Sequence, residues 1–202
     1  MRYAVTGATG FLGANLVRHL LAVGHEVLAL IRKPNELIAG LSIQTKTIPI
    51  DGSAQDALEA ALRGCDGVFH LAGIFDPSPG GTDRMNAVHV DATAALCAAA
   101  AAAGVPRLVF CSSSITVGFG PRGQPGDEET PLDPAAAYGS GGALRAYHDT
   151  KLAAEQLVAN ARDIEGVTVN PDFILGPWDV KPTSGQLLLS MARGRMPVYP
   201  KG

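Results

Sequence analysis

Thr6-Gly7-Ala8-Thr9-Gly10-Phe11-Leu12-Gly13 follows directly on the short apolar run Tyr3-Ala4-Val5 and opens a segment, Phe11–Val23, with helical spacing of apolar residues. Its glycines fall at G-x-x-G-x-x-G, one residue wider in the first gap than the dinucleotide fingerprint. The chemistry is unchanged by that extra residue. A turn without Cβ atoms lets backbone amides approach a pyrophosphate, and the helix behind it offers its positive end to the anion. Gly7, Thr9, Gly10, Phe11, Leu12 and Gly13 are therefore candidate cofactor contacts, with Gly13 also allowing close helix–sheet packing. A glycine-rich turn without a ligand would show the same spacing, but a strand before it and a helix after it favour a nucleotide site.

Outward from this loop, short apolar runs alternate with helical patterns. Strands are expected at Arg2–Thr6, Glu26–Ile31, Gln44–Ile50, Gly67–Leu71, Arg107–Ser112 and Gly166–Asn170. Helices are expected at Phe11–Val23, Ala54–Arg63, Arg84–Ala103, Ala143–Arg162 and Gly185–Arg193. Such alternation predicts an α/β fold, a doubly wound parallel sheet of Rossmann-like type. Residues 1–170 read as an NADP-binding domain and 171–202 as the start of a substrate-binding region. The tail Met196–Gly202 reads as the beginning of a strand and turn with nothing after it, so part of a longer protein is expected.

Composition narrows the function classes. With 202 residues, 16 basic and 19 acidic side chains, a net charge of −3 and 47% hydrophobic residues, the chain is neither disordered nor basic enough for a nucleic-acid or membrane surface. Cys65, Cys97 and Cys111 lie scattered in apolar stretches and read as reduced core thiols. No leader is apparent, and no apolar run reaches the roughly 20 residues of a membrane helix. A cytoplasmic protein is expected.

The end of the second expected strand should select the cofactor. NAD-binding folds carry an acid roughly 20 residues past the loop to hold the ribose 2′-hydroxyl, whereas Arg suits a 2′-phosphate. Here the strand ends Leu30-Ile31-Arg32-Lys33, so Arg32 and Lys33 predict a preference for NADP(H), with NAD(H) possible. Asp51 stands where a carboxylate could accept from an adenine amino group, or could equally be a turn residue. Leu71-Ala72-Gly73 closes the fourth expected strand with small residues against which a ribose or phosphate can lie.

The catalytic candidates come from the second half. Cys111-Ser112-Ser113-Ser114 ends the fifth expected strand at the carboxyl edge of the sheet. Tyr147 and Lys151 stand four apart, on one face of a helix. A free phenol titrates near about 10. An ammonium about 4 Å away would favour phenolate by up to roughly 4 kcal/mol at an effective dielectric near 20, enough to lower that value. Tyr147 is then the acid/base that moves a proton as hydride moves, with Ser114 holding the same substrate oxygen. Tyr138 lacks a lysine four residues on, Gly142 standing there, and reads as a loop residue. His70 and His148 sit in no cluster with metal-ligand spacing, so no metal is expected; His70 reads as a hydrogen-bonded core residue.

On Thr6–Gly13, Val68–Gly73, Leu108–Ser114, Tyr147–Lys151 and Asn170–Pro177, the chain resembles the extended short-chain dehydrogenase/reductases. That group includes the NAD-dependent epimerase/dehydratases and dihydroflavonol-reductase-like proteins. Gly176–Thr183 and Ala192–Pro197 are most similar to hopanoid-associated sugar-epimerase and dihydroflavonol-reductase-like members. The resemblance implies that Lys151 also holds the nicotinamide ribose, that the segment from Pro171 contacts the nicotinamide amide, and that the chain forms a homodimer through its two long helices. One departure stands out. Where the family carries Asn-Val-x-Gly-Thr, this chain has His89-Val90-Asp91-Ala92-Thr93. His89 is either a replacement hydrogen-bonding group or, the reading favoured here, a satisfied helix histidine; Asn86 lies one turn earlier. The expected activity is NAD(P)-dependent oxidation or reduction of a secondary alcohol or ketone, with a small-molecule substrate. The alternatives are a nucleotide-sugar epimerase/dehydratase and a non-catalytic NADP sensor, against which the Ser114, Tyr147 and Lys151 set argues.

Overall fold

The protein's structure, a computed structural model, describes residues 1–121, 123–180 and 185–195. The expected tail at Met196–Gly202 lies outside the described residues. The strands are β1 (Arg2–Thr6), β2 (Glu26–Ile31), β3 (Gln44–Thr47), β4 (Gly67–His70), β5 (Arg107–Cys111) and β6 (Glu165–Val169). They form one parallel sheet in the order β3-β2-β1-β4-β5-β6. The helices are α1 (Phe11–Ala22), α2 (Gln55–Leu62), α3 (Gly81–Asn86), α4 (Ala92–Ala102), α5 (Pro134–Tyr138), α6 (Ala143–Ala159) and α7 (Gly185–Ala192). This is the doubly wound arrangement expected from the strand–helix alternation.

Alternation along the strands divides the core in two. Ala4, Leu28, Leu30, Val68, Leu108 and Phe110 face Leu58, Leu62, Leu96, Ala99, Ala154 and Val158 of α2, α4 and α6. Val5, Val27, Ala29 and Ile31 face Val17 and Leu20 of α1. The central strands are buried on both faces, which is why their sequences run continuously apolar. β3 ends at Thr47, short of the expected Ile50, because its partner β2 ends at Ile31 and their register closes at Ile31 with Thr47. Tyr138, read from sequence as a loop residue, instead ends α5, and its hydroxyl donates to the Ile115 carbonyl at 2.9 Å.

α3 and α4 form a single continuous helix, Gly81–Ala102, interrupted by a π-turn at Ala87–Asp91. Length and composition alone would let this helix cross a membrane, but Ala92, Leu96, Ala99 and Ala100 are buried against the sheet and its neighbouring helices. It is a core helix. Cys65 and Cys97 are buried, Cys111 is half-buried, and all three are free.

The order places β1 between β2 and β4, with α1 on one face and α2 and α4 on the other. A crevice opens above the carboxyl ends at that switch point, where open α/β sheets hold their ligands.

Candidate active site

Gly7 opens the crevice. Its φ is +69°, and a Cβ there would stand 2.6 Å from the Leu71 carbonyl group, so conformation and space both require glycine. A Cβ on Gly13 would meet the Gly7 carbonyl oxygen, which is what lets α1 start against the sheet. No side chain caps the first turn of α1, and no acidic residue stands in it. That end is therefore open and electropositive, a fit for a phosphate.

Behind the loop lies a cavity of about 580 Å³. It runs from Thr6, Gly7, Thr9 and Gly10 past Ile31 and Arg32 to Asp51, and along Leu71-Ala72-Gly73-Ile74. The structure thus brings Gly7, Thr9, Gly10, Arg32, Asp51, Leu71, Ala72 and Gly73 to one hollow. Lys33, Phe11, Leu12, Gly13, Lys151 and Pro171 do not line it. Lys33 is exposed beyond the end of β2. Phe11 turns its ring toward Gly176, and the Pro171 carbonyl accepts from the Ser114 amide at 3.0 Å. Asp51 is also a turn residue: its Oδ1 accepts from the Ser53 amide at 3.0 Å and the Ser53 hydroxyl at 2.6 Å, which lowers its pKa.

Beyond Gly73 the crevice reaches α6. A Cβ on Gly73 would stand 3.2 Å from Lys151 Nζ and 3.6 Å from His89 Nε2, so this glycine keeps the space between them open. Lys151 is 3% exposed, donates from Nζ to the Cys111 carbonyl at 2.9 Å, and has its pKa lowered to about 8 by burial. Tyr147 packs edge-on to His89, with ring centroids 5.5 Å apart, and to the half-exposed Phe75 at 5.6 Å. Arg84 knots the loop carrying Phe75, donating to Asp76 and to Ser78, both at 2.6 Å.

Two expectations need correction. Burial, which penalises phenolate, raises the Tyr147 pKa instead of lowering it, and the Lys151 ammonium donates to the Cys111 carbonyl. The serine beside the phenol is Ser113, whose side-chain hydrogen bond opposes that rise, whereas the Ser114 hydroxyl donates to Asp172 at 3.0 Å. The backbone decides between them. Ser113 is extended and caps a 3-10 turn that begins at Ser114, so adjacent side chains point different ways.

Sequence reasoning missed Glu155, one turn beyond Lys151. Its Oε1 accepts from Ser112 Oγ, from Thr116 Oγ1 at 2.7 Å and from Asn170 Nδ2 at 2.8 Å. The spacing 147, 151, 155 was the available signal. His70 is the hydrogen-bonded core residue expected: Nδ1 pairs with Thr6 Oγ1 at 2.6 Å and Nε2 with Thr93 Oγ1 at 3.0 Å, while burial lowers its pKa to about 3.

The model of one protein family, NAD dependent epimerase/dehydratase, matches residues 3–196. The chain belongs to that family. Among this epimerase/dehydratase protein's relatives is a putative dihydroflavonol 4-reductase of Synechocystis, 36% identical over 98% of the chain and 56% of that protein. The crystal structure of gox2253 superposes with a TM-score of 0.81 at 32% identity, covering 98% of the chain and 59% of its own. A short-chain dehydrogenase/reductase superfamily protein from Agrobacterium tumefaciens, solved with bound NAD, matches with a TM-score of 0.66 at 31% identity, covering 84% and 48%. The family member described here therefore spans a little over half the length of the first two of these proteins.

Proposed function

We propose that this epimerase/dehydratase-family protein is an NADP(H)-preferring oxidoreductase that interconverts a secondary alcohol and a ketone. The observation that carries the reading is the placement of one phenol. Tyr147 packs against His89, whose ring accepts from the crevice-lining Ile74 amide, and it stands beside the Ser113 hydroxyl and one helical turn from a buried ammonium. When bound, the dinucleotide supplies or accepts the hydride. Residues 1–170 hold it, and the segment from 171 begins the substrate side.

Each residue then has a task. Gly7, Thr9 and Gly10 receive the pyrophosphate at the open end of α1, and Arg32 pairs with a 2′-phosphate. Lys151 faces the gap beside Gly73, where a ribose hydroxyl fits. In reduction the Tyr147 hydroxyl gives its proton to the carbonyl oxygen, and Ser113 donates to the same oxygen. In oxidation the proton returns. A Tyr147 pKa raised by burial suits the acid direction, since the proton stays on the phenol at neutral pH. Phe75 closes one side of the phenol. A second copy pairing along α4 and α6 would form the dimer.

A reductase converts NADPH to NADP+ with each ketone it reduces, whereas an epimerase returns the hydride internally and shows no net change in the cofactor. Arg32 at the end of β2, where a carboxylate would hold an NAD ribose, favours the reductase. The test is a titration with NADPH and NADH, followed by nicotinamide absorbance with a panel of ketones. NADPH should bind tighter, and Tyr147→Phe should abolish turnover while leaving cofactor affinity nearly unchanged. Turnover surviving that substitution refutes the role of Tyr147.

A further inference from the structure

His89 is fully buried at the centre of the π-turn. Its two ring nitrogens have partners on two different elements, neither of them its own helix. The Ile74 amide donates to Nε2 at 3.1 Å, which makes that nitrogen the acceptor. Nδ1 then carries the proton and donates to Thr150 Oγ1 at 2.9 Å; Thr150 in turn donates to the Ala146 carbonyl at 2.8 Å. Each donor meets an acceptor, so a neutral ring with the proton on Nδ1 is the only state that fits. Burial, together with the Lys151 charge, holds the ring neutral by lowering its pKa to about 3.

The two partners are the elements that bound the site. Ile74 ends the segment lining the crevice after β4, and Thr150 lies on α6 between Tyr147 and Lys151. The His89 ring also rests edge-on against Tyr147. The ring spans the distance from the crevice-lining Ile74 to Thr150 on the helix that carries Tyr147 and Lys151. A π-turn adds a residue to a helical turn and re-aims the side chains that follow, and such turns recur at functional positions. Here the π-turn holds His89 at its midpoint.

We propose that His89 is a positioning residue that ties the Leu71–Ile74 segment to α6 and so sets where the Tyr147 phenol stands relative to the dinucleotide crevice. The inference rests on the oxidoreductase reading for its kinetic arm only.

The test uses the full-length protein carrying His89→Gln or His89→Leu. Gln keeps an acceptor for the Ile74 amide; Leu keeps only bulk. His89→Leu should lower kcat at least about tenfold, while ketone KM and NADPH Kd stay within about twofold, and Gln should restore kcat to within about threefold of wild type. Amide hydrogen exchange should show Ile74 protected in wild type and in the Gln variant and exposed in the Leu variant. Nitrogen NMR of the wild type should show a neutral ring protonated on Nδ1. Unchanged kcat in the Leu variant, a loss confined to KM or Kd, an unprotected Ile74 amide in wild type, or a ring protonated on Nε2 overturns the proposal. If the wild type turns over no ketone, the oxidoreductase reading fails, and the exchange and nitrogen measurements alone decide the role of His89.

Discussion

Lys151 carries its ammonium into a site that is 3% exposed, with the Cys111 carbonyl as its hydrogen-bond partner. Burial lowers its pKa from 10.5 to about 8, so holding the charge costs the folded state about 3 kcal/mol relative to water. Lys151→Met keeps the length of the side chain and removes the charge. It also leaves the Cys111 carbonyl without that donor, at about 1–3 kcal/mol. The net expectation at about pH 7 is a fold between equally stable and about 2 kcal/mol more stable, in a protein that has lost its turnover. The pH dependence fixes the sign. The folded pKa lies below the unfolded one, so between about pH 8 and the unfolded value the unfolded chain binds more protons and wild-type stability rises with pH. The advantage of the Met variant should therefore shrink on moving from about pH 7 to about pH 9. Urea unfolding at both values measures it. A variant less stable than wild type by more than about 1 kcal/mol at the lower pH, or an advantage that does not change between them, refutes the reasoning.

Three further outcomes follow from the geometry. Ser113→Ala should reduce kcat about a hundredfold, while Ser114→Ala, which removes only the contact with Asp172, should leave it within about threefold; steady-state kinetics of the pair separates the two hydroxyls. Arg32→Glu should weaken NADPH binding by at least about tenfold, equivalent to about 1.4 kcal/mol, and spare NADH, as read by fluorescence titration. Gly7→Ala places a methyl group 2.6 Å from the Leu71 backbone at a positive φ, so it should cost more than about 2 kcal/mol and lower Tm by at least about 5 °C in a thermal melt.

The fold was legible in the sequence because its signals are local. Apolar runs such as Ala4-Val5 and Leu28-Ala29-Leu30 are buried on both faces, and the glycine loop sits between a strand and a helix, which marks a parallel sheet. That Tyr147 and Lys151 lie one turn apart on a single helix was legible from spacing alone. What was hidden depends on the environment. Three consecutive serines are indistinguishable until the backbone turns at Ser113. The direction of the phenol's pKa shift is set first by burial, which is not written in a four-residue interval. The π-turn lies in a stretch whose composition suits an uninterrupted helix, so nothing local announced it. Lys33 stayed outside the crevice because β2 ends two residues earlier, at Ile31.

One carboxylate oxygen of Glu155 gathers the end of β5, the 3-10 turn and the residue after β6 onto α6. Removing that oxygen takes a shared hydrogen-bond acceptor from three segments at once. In a mutational screen scored by output alone Glu155 would be indistinguishable from a residue that touches the substrate, although its oxygen meets only the protein's own scaffold.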